Sequence, residues 1–401
     1  MELTGEQQAL RDAVRGLISR HRRDAPARGD SQAQRDGQAQ GDSQAQSDGP
    51  GYDRALWGRL CGEIGVAGLA VPECYGGAGA GPVETHIAAE ELGRDLTPTP
   101  LLGSAVLAAQ ALLASGDTAA CARLLPAIAD GTTIAALAWT GPDGHWDPGD
   151  VACHADPAGD AGRGAGGGTG AGPGRGPDGD WVLNGEAHYV LDGDTADVLL
   201  VAARAPDGIG LFEAGPQQAG ITRSATTAMD GSRPLAVVRL ENARGRRVGD
   251  RAALARARDL ACIALSAEQV GAARRALELT VAYTKVRVQF GQAIGGFQAL
   301  QHRMADLHVQ VESARSLSYA VASAAADAAP GLGLRAAAAK VYCSELALRV
   351  AGEMIQLHGA IGITWEHEAH RYLKRAHGAA QLFGPPSEHA ARIAAALVDR
   401  R

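Results

Sequence analysis

A chain of 401 residues with 38 Lys and Arg against 45 Asp and Glu, a net charge of −7 and a pI near 6.0 has room for two or three domains of about 100 to 200 residues each. No basic run is interleaved with aromatics, which argues against a nucleic-acid surface, so any anionic ligand must be met by local basic residues. Six scattered cysteines (Cys61, Cys74, Cys121, Cys153, Cys262 and Cys343) without a C-x-x-C pair fit a reducing compartment rather than a disulfide framework.

The opening "MELTGEQQAL" has acids and Gln where a secretory leader has basic residues and an apolar run, so a cytoplasmic location is expected. Thr4 followed by Gln7 spells a capping box, and Leu10, Val14, Leu17 and Ile18 recur at helical spacing, which predicts a helix over 4–22. From Gly29 the polar hexapeptide repeat "GDSQAQRDGQAQGDSQAQ" has nothing apolar beyond Ala to offset the entropy of ordering. Residues 25–51 are therefore expected to be a disordered insertion. Residues 52–130 read as helices punctuated by "VPECYGGAGAGP" and "GRDLTPTP". The apolar window from Pro100 is broken by Gly, Ser and Gln and falls short of the roughly 20 residues of a membrane span, which predicts a buried helix and no membrane partner. An N-terminal helical domain, 1–130, results.

Past Gly131 the texture changes to short β-like runs, "TTIAALAW", "WVLNGEAHYVL", "DVLLVAAR", "GIGLFEA" and "LAVVRLENA", which predict a β domain over 131–249. Gly162, Gly164 and Gly167 spell G-x-G-x-x-G, but Gly and Pro stand where the motif needs a strand before and a helix after. Residues 156–180 are read instead as a flexible Gly-rich insertion. From 250 to 401 long helical patterns return, with Leu254, Leu260, Ile263, Val270 and Leu277 marking the first. Helices, then strands, then helices make an α+β layout rather than an alternating one.

Three spaced stretches carry more: "WVLNGEAHYVLDGDTADVLLVAAR" (181–204), "YTKVRVQFGQAIGGFQALQHRMADL" (283–307) and "IQLHGAIGITWEHEAHRYLKR" (355–375). Together, in this order, they closely resemble the acyl-CoA dehydrogenase family, and "VPECYGGAG" and "AEELGRDLTPTP" look like its N-terminal landmarks. The resemblance spans nearly the whole chain apart from the two insertions. It implies an N-terminal helical domain, a middle β-barrel and a C-terminal four-helix bundle, with FAD between barrel and bundle and completed by a neighbouring subunit.

By match to the family motifs, Arg287, Gln289, Phe290, Phe297 and Gln298 would contact the adenosine-diphosphate half of FAD across a dimer interface. A guanidinium with amide side chains nearby suits a doubly charged pyrophosphate. Gln356, His358, Gly359 and Ala360 match a segment approaching the same half, with Ala in place of a second Gly. "AWTGP" resembles the strand lining the flavin ring, offering Trp139 and Thr140, with Gly141 where a Glu is common. Tyr189 and Leu191 map to the aromatic of "HYVLDG" and a residue soon after it; Leu191 brings no hydroxyl, so any flavin bond there must come from the backbone.

Acyl-CoA dehydrogenation needs a carboxylate within about 3 Å of the Cα proton and a polarised thioester oxygen. In most of the family the base is a Glu just before a Gly; counting through the motifs, Phe383 stands there, followed by Gly384. Some members carry the base on the first helix of the C-terminal domain, where Ala261 stands. The backbone N–H of Phe383 could still donate to a thioester oxygen, and Ala261, Phe383 and Gly384 are read as lining the substrate. Glu268, seven residues past Ala261 and two turns along the same face, is a speculative replacement base; an ion pair is the plainer reading. Glu366 reads as a structural family position, and around it and Glu368 the residues His367 and His370 miss the H-E-x-x-H spacing, so no metal is expected.

Several readings stay open: a base-less subunit of a hetero-oligomer with a homologous, base-bearing partner; a self-sufficient dehydrogenase, acting on acyl-CoA or on an acyl-carrier thioester; a flavin-dependent oxygenase on the same fold; and a non-catalytic interaction protein. Homo-oligomers and an acceptor resembling electron-transfer flavoprotein fit the same resemblance, and the "QLFG", "TWEH" and "VLDG" variants look most like members acting on bulky or branched acyl chains.

Overall fold

The computed structural model describes residues 3–24, 51–158 and 180–398. The two expected insertions lie outside the described residues except at their edges. There the sequence reading is corrected: Asp156 and Pro157 pair as strand with Val182 and Trp181, and Asp180 begins a strand.

Helix α1 (Gly5–Asp24) starts at the expected capping box: Thr4 N–H donates to Gln7 Oε1 at 3.1 Å and Gln7 N–H to Thr4 Oγ1 at 3.2 Å. Helix α2 (Arg54–Arg59), capped by Asp53, runs into a π-helical turn at Leu60–Ile64 that Gly65 ends in the left-handed region. Helix α3 (Pro82–Arg94) follows. The apolar window predicted as one buried helix is buried, but its first part, Leu101–Ala108, is π-helical before α4 (Ala109–Ser115). Helix α5 (Thr118–Ala129) leads to the strands.

The strands are β1 (Ala135–Ala138), β2 (Cys153–Pro157), β3 (Asp180–Leu191), β4 (Val198–Ala205), β5 (Gly208–Ala214), β6 (Ile221–Ala225) and β7 (Leu235–Asp250). Strands β4, β2, β3, β7 and β5 close on one another because β5 pairs with β4; β1 extends β4 and β6 flanks β7. The sequence reading missed β2 and β6, which are short and polar, with exposed residues such as His154 and Arg223's neighbours Thr222 and Ser224. Alternating burial elsewhere fills the barrel with Leu183, Ala187, Leu199, Val201, Phe212 and Val238.

Helix α6 (Arg251–Val286), about 54 Å long by its 36 residues, is the central rod. Asp250 caps its start. A hairpin of β8 (Val288–Gln289) and β9 (Gln292–Ala293) joins it to α7 (Gln298–Ala326), followed by α8 (Leu332–His358), α9 (Ala369–Gln381) and α10 (Pro386–Val398). Helices α3 and α6 pack with their backbones close together. A Cβ on Gly93 would stand 2.2 Å from Glu268 O and one on Gly271 1.9 Å from Glu90 O, so neither position has room for a side chain. Ion pairs fasten the N-terminal helices to the bundle: Arg94 with Glu278, and buried Glu90 with Arg315 and the Tyr319 hydroxyl. Among the described residues, no helix is long and apolar enough to cross a membrane.

Candidate functional site

The sequence-predicted residues fall into two groups. The first gathers at the ends of β1 and β3, where Trp139, Tyr189 and Leu191 share one apolar cluster with Ala261 of α6 and with Phe383 just after α9. A bulge in β3 between Ala187 and Val190 holds Tyr189 at a φ of +55°, and His188 N–H donates to Thr140 O at 2.7 Å, tying the bulge to the end of β1. The Tyr189 hydroxyl donates to Pro142 O at 3.1 Å. Leu191 and Ala261 are buried.

Phe383 closes this region. It is 1 % exposed at the end of α9, stacked 6.4 Å from Trp139 at 14° and edge-on to Trp146 at 5.3 Å; Trp139 and Trp146 are themselves perpendicular at 5.1 Å. Its turn is held from behind. The buried Lys340 ammonium donates to Ala379 O at 3.0 Å and Ala380 O at 2.9 Å, and His389 Nε2 lies 2.9 Å from Phe383 O. Burial pushes the Lys340 ammonium down to about 8 and the His389 imidazole down to about 4, so His389 is a neutral donor to that carbonyl near pH 7. Trp146, in the loop after β1, had no motif to mark it and was missed by the sequence reading.

The second group lies at the far end of α6. Arg287, Val288, Gln289 and Phe290 form an exposed hairpin, with Phe290 92 % exposed and set edge-on to Phe297 at 6.2 Å. Among the described residues the Arg287 guanidinium has no ion-pair partner, and Gln298 opens α7 exposed. The end of α8 lies beside this hairpin's stem: His358 stacks on Tyr283 at 4.3 Å and meets His367 in a tilted arrangement at 4.3 Å, and Tyr283's hydroxyl donates to His358 O at 3.3 Å. Gln356, Gly359 and Ala360 are exposed around it.

Two features single out these groups from ordinary core. Tyr189 (φ +55°), Phe290 (φ +53°) and Phe383 (φ +61°) all occupy the left-handed region, which costs a bulky side chain about 1–3 kcal/mol and concentrates at functional sites. Among the described residues, Trp139 Nε1, Thr140 Oγ1 and His358 Nε2 are buried polar atoms with no hydrogen-bond partner. Leaving such an atom unmade costs about 1–3 kcal/mol, so a bound group with complementary donors and acceptors fits here.

Glu268 stands elsewhere than in an open base position. Its carboxylate accepts from Arg233 and lies 3.7 Å from Arg375 Nη1, with both arginines and the acid largely buried. Asp192, next to Leu191, is also buried, and burial pushes its carboxyl up to about 7. Asp230, Arg233 and Arg375 complete this cluster and were not singled out from sequence; the letters "DGSRP" carry no chemistry until the fold brings them against α6 and α9. Among the described residues no cluster of three or more His, Cys, Asp or Glu could hold a metal.

Residues 4–132 match the acyl-CoA dehydrogenase N-terminal domain and 250–398 the acyl-CoA dehydrogenase C-terminal domain. The chain is 36 % identical over 394 residues to acyl-CoA dehydrogenase IpdE2 of Mycolicibacterium smegmatis, spanning 98 % of this chain and 99 % of that one. It is 37 % identical to IpdE2 of Mycobacterium tuberculosis over 389 residues, spanning 97 % and 96 %. Among solved structures it resembles a variant of the Tcur3481-Tcur3483 steroid ACAD (TM-score 0.81, 30 % identity, 98 % of each chain). It also resembles the ChsE4-ChsE5 complex of M. tuberculosis (TM-score 0.80, 26 % identity, 99 % and 98 %). The chain belongs to the acyl-CoA dehydrogenase family.

Proposed function

We propose that this chain works in FAD-dependent α,β-dehydrogenation of a bulky, alicyclic acyl-CoA, as one subunit of a hetero-oligomer with a homologous, base-bearing partner. The observation that carries the hetero-oligomer is Phe383, buried against Trp139 and Trp146 where a carboxylate is expected, with Ala261 at the alternative position. Two solved relatives bear two-component names, one of them with "steroid" in it, which supports both partner and substrate class.

Bound FAD would supply an acceptor for the hydride of the substrate Cβ. The chain's own contributions are binding and positioning. Arg287, Gln289, Phe290, Phe297 and Gln298, with Gln356, His358, Gly359 and Ala360, would hold the adenosine-diphosphate half presented across an interface. The exposure of Arg287, Gln289, Phe290, Gln298, Gln356, Gly359 and Ala360 suits a site completed by a second chain. Thr140 Oγ1 and Trp139 Nε1, both unpartnered among the described residues, would answer polar atoms of the ring, and Tyr189 and Leu191 would border it. Trp139, Trp146 and Phe383 exclude water from the same region. Proton removal from Cα falls to the partner's carboxylate, and electrons leave to an acceptor resembling electron-transfer flavoprotein. The limits 1–130, 131–249 and 250–401 are the proposed domains.

The test is anaerobic titration with a panel of straight, branched and alicyclic acyl-CoAs while flavin absorbance is followed, on the chain alone and co-expressed with a base-bearing homologue. Bleaching in the co-expressed complex, strongest with alicyclic chains, is expected. Bleaching by the chain alone would place a base within it and sink the two-subunit reading.

A further inference from the structure

A buried charge cluster joins the three parts of the fold that border the proposed flavin cleft. The barrel segment 230–234 is folded tightly on itself: Asp230 Oδ1 accepts from Ser232 N–H at 3.0 Å and from its hydroxyl. This loop is gripped from two helices. From α9, Arg375 Nη2 donates to Ser232 O at 3.1 Å and Ser232 Oγ at 2.9 Å, and its Nε lies 3.0 Å from Asp230 Oδ2. From α6, Glu268 accepts from Arg233, whose side chain is 9 % exposed.

The loop leads directly to the cleft. Pro234 O accepts from Asp192 N–H at 3.4 Å and Leu235 pairs with Leu191, so displacing Arg233 displaces the strand end that carries Leu191. On the helical side, Glu268 shares α6 with Ala261, and Arg375 lies on α9, which ends at the Phe383 turn. A Cβ on Gly103 would stand 3.0 Å from Leu191 Cβ and 2.6 Å from Asp192 Oδ2, so the π-helical segment presses on the same edge. Between these groups remains a cavity of about 20 Å³, bordered by Thr97, Asp192, Arg233, Glu268 and Arg375, enough for one water.

Desolvating these charges makes the pair a weak source of net stability; directional bonds between charged groups instead define one geometry. We propose that Arg233, Glu268 and Arg375 form a latch that sets the barrel edge carrying Leu191 against the helices carrying Ala261 and Phe383. Glu268 is then a positioning residue for the flavin cleft and not its proton acceptor. The inference deepens the proposed function and rests on that reading for the flavin, but the latch itself is defined by the contacts above.

Hydrogen–deuterium exchange and flavin titration on the full chain, co-expressed with its partner, test it with Glu268→Gln, Arg233→Lys and the swap Arg233→Glu/Glu268→Arg. In Glu268→Gln, amides around Leu191, Asp192 and 382–384 should exchange about tenfold faster or more, with flavin Kd weakened by a similar factor, while α1 stays protected. Arg233→Lys should fall between wild type and Glu268→Gln, and the swap should recover part of the loss. Wild-type exchange and wild-type flavin affinity in Glu268→Gln would overturn the latch, as would loss of substrate-driven bleaching alone, which would make Glu268 a base. If α1 also loses protection, Glu268→Gln has unfolded and Arg233→Lys decides by the same amides. A wild-type complex without flavin would overturn the functional reading, and the exchange data would still decide the latch.

Discussion

Thr140 and Asp192 show how one buried polar atom converts structure into measurable behaviour. Thr140 Oγ1 is buried without a partner among the described residues, so Thr140→Val, which swaps the hydroxyl for a methyl of similar size, should stabilise the flavin-free chain by about 1 kcal/mol. The same change should weaken flavin binding about tenfold if the hydroxyl meets the ring. Thermal unfolding without flavin and fluorescence titration with it read the two signs separately. Asp192 has its carboxyl raised to about 7, first by burial and further by Asp194 and Glu268, with Arg233 opposing; Arg375 borders the same cavity. Since an unfolded Asp titrates near 3.8, the folded state holds a proton that the unfolded state has released. This contribution to stability is full below about pH 3.8 and is lost as pH rises through about 7. Asp192→Asn keeps the shape without the ionisation, so its melting temperature should exceed wild type at pH 8, with the gap shrinking toward pH 5. A gap that stays constant between pH 5 and pH 8 would show that the fold does not hold the Asp192 carboxyl protonated.

At the scale of elements, two contacts decide how the helices sit. Gly271 lets α6 approach α3, where a Cβ would meet Glu90 O at 1.9 Å and Arg94 N at 2.9 Å, both backbone atoms. Gly271→Ala should therefore destabilise the chain by about 1–3 kcal/mol or more, read as a lower urea midpoint, although the same change in an open helix would be favourable. Lys340 satisfies the last carbonyls of α9 with an ammonium that is wholly buried. Lys340→Met fills the space but leaves Ala379 O and Ala380 O unpaired, costing about 1–3 kcal/mol. Exchange should rise first at the Leu382–Gly384 turn, because that turn hangs on the helix end the lysine holds. Both are close backbone approaches: a glycine or lysine in a helical pattern reads from sequence as a weak or exposed position, and the neighbour that gives it purpose lies far away in the chain.

Across the whole molecule, acid should loosen the fold through two buried histidines, against the opposite contribution of Asp192. His86, against Ser318 on α7, and His389, behind Phe383, are both pushed down to about 4 by burial from a usual 6.5. Between those values the unfolded chain takes up protons that the folded chain refuses, so stability present above pH 6.5 is lost as pH falls toward 4. Denaturant unfolding at pH 7, 6 and 5 should show the decline, and His389→Gln should make it shallower while His86 keeps the rest.

Much of this protein was legible in its letters. The capping box, the helix–strand–helix order and the spaced motifs depend on local periodicity and on short segments whose neighbours in sequence are also their neighbours in space, so they marked out the family and the residues around the proposed cofactor. The absence of a carboxylate at Phe383 and Ala261 was equally plain. What the tertiary structure alone decided is where long-range partners meet. It packed Phe383 against two tryptophans, one of them in an unremarked loop, and it left the Thr140 hydroxyl without a partner among the described residues. It also drew Glu268 into a bond with Arg233, 35 residues earlier, and toward Arg375, far later in the chain. The carboxylate's chemistry depends on which charge stands beside it in a dry interior, and the packing of a barrel loop between two helices chose that charge.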